Sequence, residues 1–428
     1  MTPPEKPVSS SVKPGQPRLP LSVVALGIVS LFNDTAGDMI NPLLPAFVAS
    51  VGGGPEALGI IEGVADAVAS ILQVASGYLA DRIGRLKAIT MAGYSVAAIA
   101  RPLLALTTAP WQILMARFGD RLGKGIRGAP RDRLIADAAP ARIRGRAFGY
   151  HRAMDNAGAL VGPLIVYAML AIGMKTRSVF GWTVAPGVLS LIVLGTSVRE
   201  VQAQPTASRI EFGLPDVPGF RRLLVALFVF TLGSSSDSFL LWRARETGIP
   251  VVYAPLLWLV VASVKVASSI PGGELSDRLG RRTMIISGWM LYAAIYFGFA
   301  LASAPWHVWT LFAIYGLFSG LTEGAERALV VDLVPDQWRG RALGWYQAVI
   351  GIGLLPANLM FGVLYQYCGA GYAFTLGAIL ALLAIGLLPR EQGSSESMIA
   401  RRDALAALSL GRPPAGASLS DLIQTDRE

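Results

Sequence analysis

From residue 22 to residue 388 the chain consists almost wholly of apolar runs of about 20 residues. Each run is long enough to cross ~30 Å of hydrocarbon as a helix. In lipid a helix satisfies its own backbone hydrogen bonds, so the runs predict an all-α membrane protein. Only 15% of the 428 residues are charged, against roughly a quarter in a soluble domain. The spans fall at 22–48, 57–79, 87–107, 111–137, 147–172, 179–197, 220–242, 252–275, 283–302, 306–332, 342–367 and 371–388.

The net charge of +9 could suggest nucleic acid, but its placement follows topology. With the N-terminus inside, basic residues cluster at alternate boundaries: Arg82, Arg85 and Lys87, then Arg142 to Arg146, Arg221 and Arg222, Arg278 to Arg282, Arg339 and Arg341. Lys175, Arg177, Arg243 and Arg245 lie on the opposite side. The bias predicts both termini cytoplasmic, in the cytoplasmic (inner) membrane, and no nucleic-acid partner. Residues 1–21 form the predicted N-terminal tail, without the apolar core of a signal peptide. Residues 22–197 form the first six-helix bundle, 198–218 a cytoplasmic linker, 219–389 the second bundle and 390–428 a cytoplasmic tail.

The halves repeat. Gly77-Tyr78-Leu79-Ala80-Asp81-Arg82-Ile83-Gly84-Arg85 returns as Gly273-Glu274-Leu275-Ser276-Asp277-Arg278-Leu279-Gly280-Arg281. Asp137, Pro140, Arg144, Arg146 and Gly149 return as Asp332, Pro335, Arg339, Arg341 and Gly344. Two segments repeating at nearly one offset mean a duplicated six-helix unit, with the copies parallel.

The repeated Gly-x-Leu-x-Asp-Arg-x-Gly-Arg loop resembles the signature of the major facilitator superfamily, a likeness covering about 22–390. It implies twelve transmembrane helices in two six-helix bundles related by a pseudo-twofold, around a cavity that opens to each side in turn. By that resemblance Asp81 and Asp277 brace the neighbouring bundle, with Arg82 and Arg278 in the same gating loops. Arg85 and Arg281 would reach Asp137 and Asp332. Gly149, Gly158, Gly162 and Pro163 match part of the antiporter signature of that superfamily, with Val166 and Tyr167 where two glycines are expected. Small residues let helices approach closely, and Pro163 can bend the helix.

An ionised side chain at mid-bilayer costs roughly 2.5–3.5 kcal/mol on insertion scales. Charged residues inside these spans must therefore line water or pair. On span four Arg117, Asp120, Arg121, Lys124 and Arg131 fall on one stripe. Glu326 and Arg327 on span ten reverse the sign order of Arg131 and Asp132, which predicts pairing across the cavity floor. Pairing inside each bundle is the alternative.

Asp34 and Asp38 lie one turn apart on span one, and Glu62 and Asp66 on span two. Desolvation favours the neutral form of a carboxylate, as a proton carrier requires, and Asp34 is the first candidate. The competing reading is an ion pair with Arg101 or Arg117. His151 and Asp155 on span five could relay protons, with Lys265 of span eight a partner for Asp155. Asp237 on span seven and Glu323 on span ten complete the candidate pathway.

The leading expectation is a proton-coupled exporter of a small, anionic molecule, acting by antiport as a monomer in the lipid bilayer. Proton-coupled uptake of an anionic metabolite, or a non-transporting sensor with the same fold, are the alternatives. No phosphate loop, His-Glu-x-x-His or cysteine nucleophile is present, so an enzyme is not expected. Cys368 is the only cysteine, which rules out an intrachain disulfide and a cysteine-based metal site. No cofactor or metal is expected.

Overall fold

The computed structural model describes residues 19–83, 85–140, 143–200, 214–215, 217–335 and 338–389. For residues 74, 77–83, 218 and 340 it describes the backbone alone. Asp81 and Arg82, assigned to the gate, thus lie outside the described side chains.

The described residues form helices α1 (Leu21–Asp38), α2 (Leu44–Ser50), α3 (Pro55–Ile83), α4 (Leu86–Leu103), α5 (Pro110–Ala138), α6 (Arg144–Ala171), α7 (Thr176–Trp182) and α8 (Val184–Ser197). After the linker come α9 (Pro218–Gly233), α10 (Asp237–Glu246), α11 (Ala254–Leu279), α12 (Arg281–Leu301), α13 (Pro305–Asp332), α14 (Arg339–Cys368) and α15 (Ala370–Leu387). Among the described residues eight segments are long and apolar enough to cross a membrane. The other spans, α1–α2, α3, α5 and α13, are interrupted or carry the ionisable side chains that depress their apolarity.

Three spans read as continuous are broken in the structure. Span one turns between Asp38 and Leu44, where Pro42 cannot donate a backbone hydrogen bond. Its repeat, span seven, opens after Gly233 at Ser234–Ser236. There the freed Ser236 N–H donates to Asn358 Oδ1 at 2.7 Å and the Ser235 N–H to the Tyr296 hydroxyl at 3.2 Å. The Ser236 hydroxyl caps α10 by accepting from Ser238 N–H. Span six divides at Thr183 into α7 and α8.

Helix pairing repeats between the halves. In the first, α1 packs on α6 and α8, and α5 packs on α3 and α4. In the second, α9 packs on α14 and α15, and α13 packs on α11 and α12. The bundles meet through α3 on α14 and α6 on α11, contacts that a twofold interchanges. Gly280, at φ +91°, makes the tight joint between α11 and α12.

The beginnings of α1, α4 and α6 and the ends of α5 and α8 share one apolar cluster, including Val23, Leu86, Ile135, Ala147 and Leu194. We call this end, which carries the signature loops, the basic end. At the far end α3 and α14 nearly touch: a Cβ on Gly59 would lie 2.4 Å from the Asn358 carbonyl oxygen. The core of the second half is aromatic, built on Trp289, Tyr292, Tyr296, Phe299, Phe312 and Phe374.

Candidate functional site

Between the bundles lies a cavity of about 440 Å³. Its walls carry Asp34, Asp38, Glu62, Asp66, Arg117, Asp120, Arg121, Lys124 and Asp237 from the predicted pathway. They also carry Arg101, Arg127, Asn41, Ser235, Ser236 and Trp258. The stripe on α5 therefore faces a polar space, as its period demands.

Burial forces most of these charges into pairs. Arg101 Nε donates to Asp120 at 2.8 Å, and its Nη1 to the Asn33 backbone oxygen at 2.7 Å. Arg117 Nη2 donates to Glu62 at 3.0 Å and its Nη1 to Asn41 Oδ1 at 3.2 Å; Arg117 and Glu62 are 2% and 3% exposed. Arg121 Nε lies 3.6 Å from Asp66. Each pair joins two helices, so the charges staple α3 and α4 to α5.

Asp34 and Asp38 differ. The arginines that could have held Asp34, Arg101 and Arg117, are taken by Asp120 and Glu62. Asp34 accepts from Asn33 Nδ2 at 2.8 Å. Asp38 accepts from Asn41 Nδ2 at 2.9 Å and, across the bundles, from Trp258 Nε1 at 3.1 Å. Neither carboxylate has a cation within 4.0 Å among the described residues. Asp237, at the start of α10, accepts from the Tyr315 hydroxyl at 2.6 Å.

Glycines bring α6 against this acid pair. A Cβ on Gly158 would meet Asp34 Cβ at 3.0 Å and one on Gly162 would meet Asp38 Cβ at 3.0 Å. Gly149 has open space around it, so it plays no part in that approach. Pro163, buried inside α6, leaves the helix unbroken.

His151, Asp155, Lys265 and Glu323 do not line the cavity. Asp155 accepts from the Ser30 hydroxyl and lies 3.5 Å from His151 Nδ1, behind Asp34. Lys265 pairs with Glu323 at 3.0 Å in its own half, so the suggested Asp155–Lys265 contact does not form.

Nor do Arg131, Asp132, Glu326 and Arg327 pair across the floor among the described residues. Arg131 binds Asp132 at 2.8 Å and Arg327 binds Glu323 at 3.0 Å, each within its own helix. Glu326 is buried in the second half, accepting from Trp289 Nε1 at 2.9 Å and the Tyr346 hydroxyl at 3.1 Å. Arg281 contacts Asp277 and lies 3.5 Å from Asp332. Asp137 pairs with Arg133 at 3.7 Å rather than with Arg85, while Arg85 and Arg278 are exposed. At the far end the bundles touch, where the Tyr367 hydroxyl donates to Glu56 at 3.1 Å and Tyr167 stacks on Tyr253 at 6.5 Å. The far end is closed.

Arg127 and Trp258 escaped the sequence reading, and Arg101 entered it only as a counter-ion for Asp34. Arg127 follows Lys124 by three residues, so extending the stripe would have found it. Nothing local marks Trp258, which reaches Asp38 from the other half.

An all-helical, multi-pass membrane protein whose matched halves enclose a charged cavity has a membrane-transporter architecture. A sequence model of the Major Facilitator Superfamily matches residues 26–264 and 223–417, and the chain belongs to that superfamily. It is 32% identical over 377 residues to an uncharacterised MFS-type transporter of Methanocaldococcus jannaschii, covering 86% of this chain and 94% of the relative. It is 28% identical over 381 residues to the multidrug resistance protein MdtG of Enterobacter lignolyticus, covering 84% and 90% of the two chains. A crystal structure of a POT family transporter superposes at TM-score 0.73 with 13% identity, covering 86% of this chain and 95% of that one. An inward-facing bacterial homologue of the human lysosomal transporter Spinster gives 0.66 and 16%, covering 86% and 94%.

Proposed function

We propose that this superfamily member is a proton-coupled antiporter that exports a small molecule bearing an acidic group, working as a monomer by alternating access in the cytoplasmic membrane, with both termini inside. The observation that carries the proton step is the contrast among the cavity acids. Glu62, Asp66 and Asp120 each have an arginine, whereas among the described residues Asp34, Asp38 and Asp237 have only neutral donors, and the first two sit together on α1. A carboxylate free of a fixed cation can take up and release a proton without breaking a structural ion pair. Two further observations favour export. Relatives along most of the chain are named multidrug resistance proteins, and the antiporter-like glycines Gly158 and Gly162 seat α6 against those two acids.

In this reading His151 and Asp155 relay protons toward the basic end. Asp81, Arg82, Arg85, Asp137, Asp277, Arg278, Arg281 and Asp332 hold the state closed there. Arg131, Asp132, Glu326 and Arg327 exchange partners as that end closes.

Uptake of an anion together with protons is the second reading, favoured by the unpaired Lys124 and Arg127. The two readings predict opposite proton movement. In liposomes carrying the purified protein and an internal pH dye, adding a transported compound outside should drive protons out by antiport. Asp34→Asn and Asp38→Asn should abolish that signal while leaving the fold intact. Protons entering with the compound would favour the second reading, and flux with no proton movement would refute coupling.

A further inference from the structure

The cavity holds more charge than its ion pairs consume, and the remainder is arranged by sign. On α5, Lys124 and Arg127 line the cavity without a hydrogen bond or ion pair to any described residue. Arg127 is 4% exposed, and neither its Nε nor its Nη1 has a partner. Its guanidinium carbon lies over the Tyr94 ring, 4.7 Å from the centroid. Asp34 and Asp38 on α1 line the same cavity without a cation within 4.0 Å among the described residues, as does Asp237 on α10. Both sets line the same cavity, yet no ion pair joins them.

A guanidinium carries five donors and stays charged. Leaving it buried with nothing to bind is costly, so such groups are normally matched. Here the match is missing on both walls. A ligand with only an acidic group would satisfy Arg127 and leave the acids facing it. A ligand with only an amine would do the reverse.

We propose that the gap between Asp34–Asp38 on α1 and Lys124–Arg127 on α5 is a subsite for a small zwitterion. Its carboxylate or phosphoryl group docks on Arg127 and Lys124, and its ammonium group docks on Asp34 and Asp38. Arg127 suits the acidic group because its planar fork matches those oxyanions, with Lys124 adding a point charge one turn away. A cavity of about 440 Å³ suits a small organic ligand. The inference rests on the transport reading and sharpens it. An ammonium group on Asp34 and Asp38 competes with protons for the same carboxylates, which is the linkage that antiport needs.

Binding, read without any gradient, tests the subsite separately from transport. The purified full-length protein in detergent is melted with a matched panel: free amino acids and dipeptides, their N-acetyl derivatives, their methyl esters, and aminoalkyl phosphonates. The free zwitterions should stabilise the wild type, with acetylation or esterification weakening the effect roughly tenfold or more. Stabilisation by the phosphonates, exceeding that by the carboxylates, would mark the phosphoryl group as the natural acid. Arg127→Met should remove the advantage of the free acid over its ester, and Asp38→Asn that of the free amine over its acetyl form.

Esters binding wild type as well as free acids would overturn the proposal, as would Arg127→Met discriminating between them like wild type. A ligand-independent reading guards against loss of fold. Without ligand, Arg127→Met should melt at or above the wild type, because it removes an unpaired buried charge. Melting well below wild type would mean that Arg127 is structural, whatever the panel returns.

Discussion

At the residue scale, the cavity separates charges that hold the bundle together from charges left available. Arg117 and Glu62 belong to the first kind, both nearly fully buried and linking α5 to α3. Removing one partner strands the other in a low-dielectric site at a cost of roughly 3–5 kcal/mol, whereas removing both is far milder. Arg117→Met should therefore lower the melting temperature of the purified protein sharply, and adding Glu62→Gln should restore most of it. A single variant as stable as wild type would show that the pair is not a staple. The stripe on α5 was legible because its members share one helix, where spacing alone fixes the face. Which acid each arginine takes was not legible. Glu62, Asp66 and Asp120 find their partners on neighbouring helices, and a single sequence does not say which helices touch.

At the element scale, the antiporter-like glycines divide by what surrounds them. Gly162 sits where a side chain would meet the Thr35 carbonyl oxygen at 2.8 Å, whereas Gly149 has nothing within 4 Å. Gly162→Val should push α6 off α1 at Asp38, cost about 1–3 kcal/mol and impair transport. Gly149→Ala should melt like the wild type. The reverse ranking, read by thermal melting and flux, would contradict this account of the motif. Helix ends fell within a few residues of the expected spans, because the apolar runs are bounded by charge and by proline or glycine. The breaks after Asp38 and Gly233 were hidden, since proline and glycine occur in continuous membrane helices too. Only the partners supplied to the opened backbone, such as Asn358 and Tyr296, show that these spans are interrupted.

For the whole molecule, duplication explains the architecture and suits the motion proposed for it. The same helix pairs recur in each half, and the two most extensive contacts between the halves, α3 on α14 and α6 on α11, are ones a twofold interchanges. Such an arrangement has two equivalent ways to close, one at each end. Here the far end is closed by α3 on α14 and the Tyr367–Glu56 hydrogen bond, while Arg131 and Arg327 pair within their own helices with Asp132 and Glu323. On the proposed function these bundles rock about the cavity, with protons shifting the balance.

Paired spin labels test it most directly. With Cys368 replaced by serine, one pair is placed at Thr108 and Ser303 in far-end loops and another at Ala88 and Thr283 near the basic end, all exposed sites. Distances are measured by double electron–electron resonance. The account predicts two populations at each end, exchanging in opposite senses between about pH 8 and about pH 5, where carboxylates in shifted environments titrate. As the far-end distance lengthens, the basic-end distance shortens. A single unchanging distance at both ends, or both widening together, would contradict it.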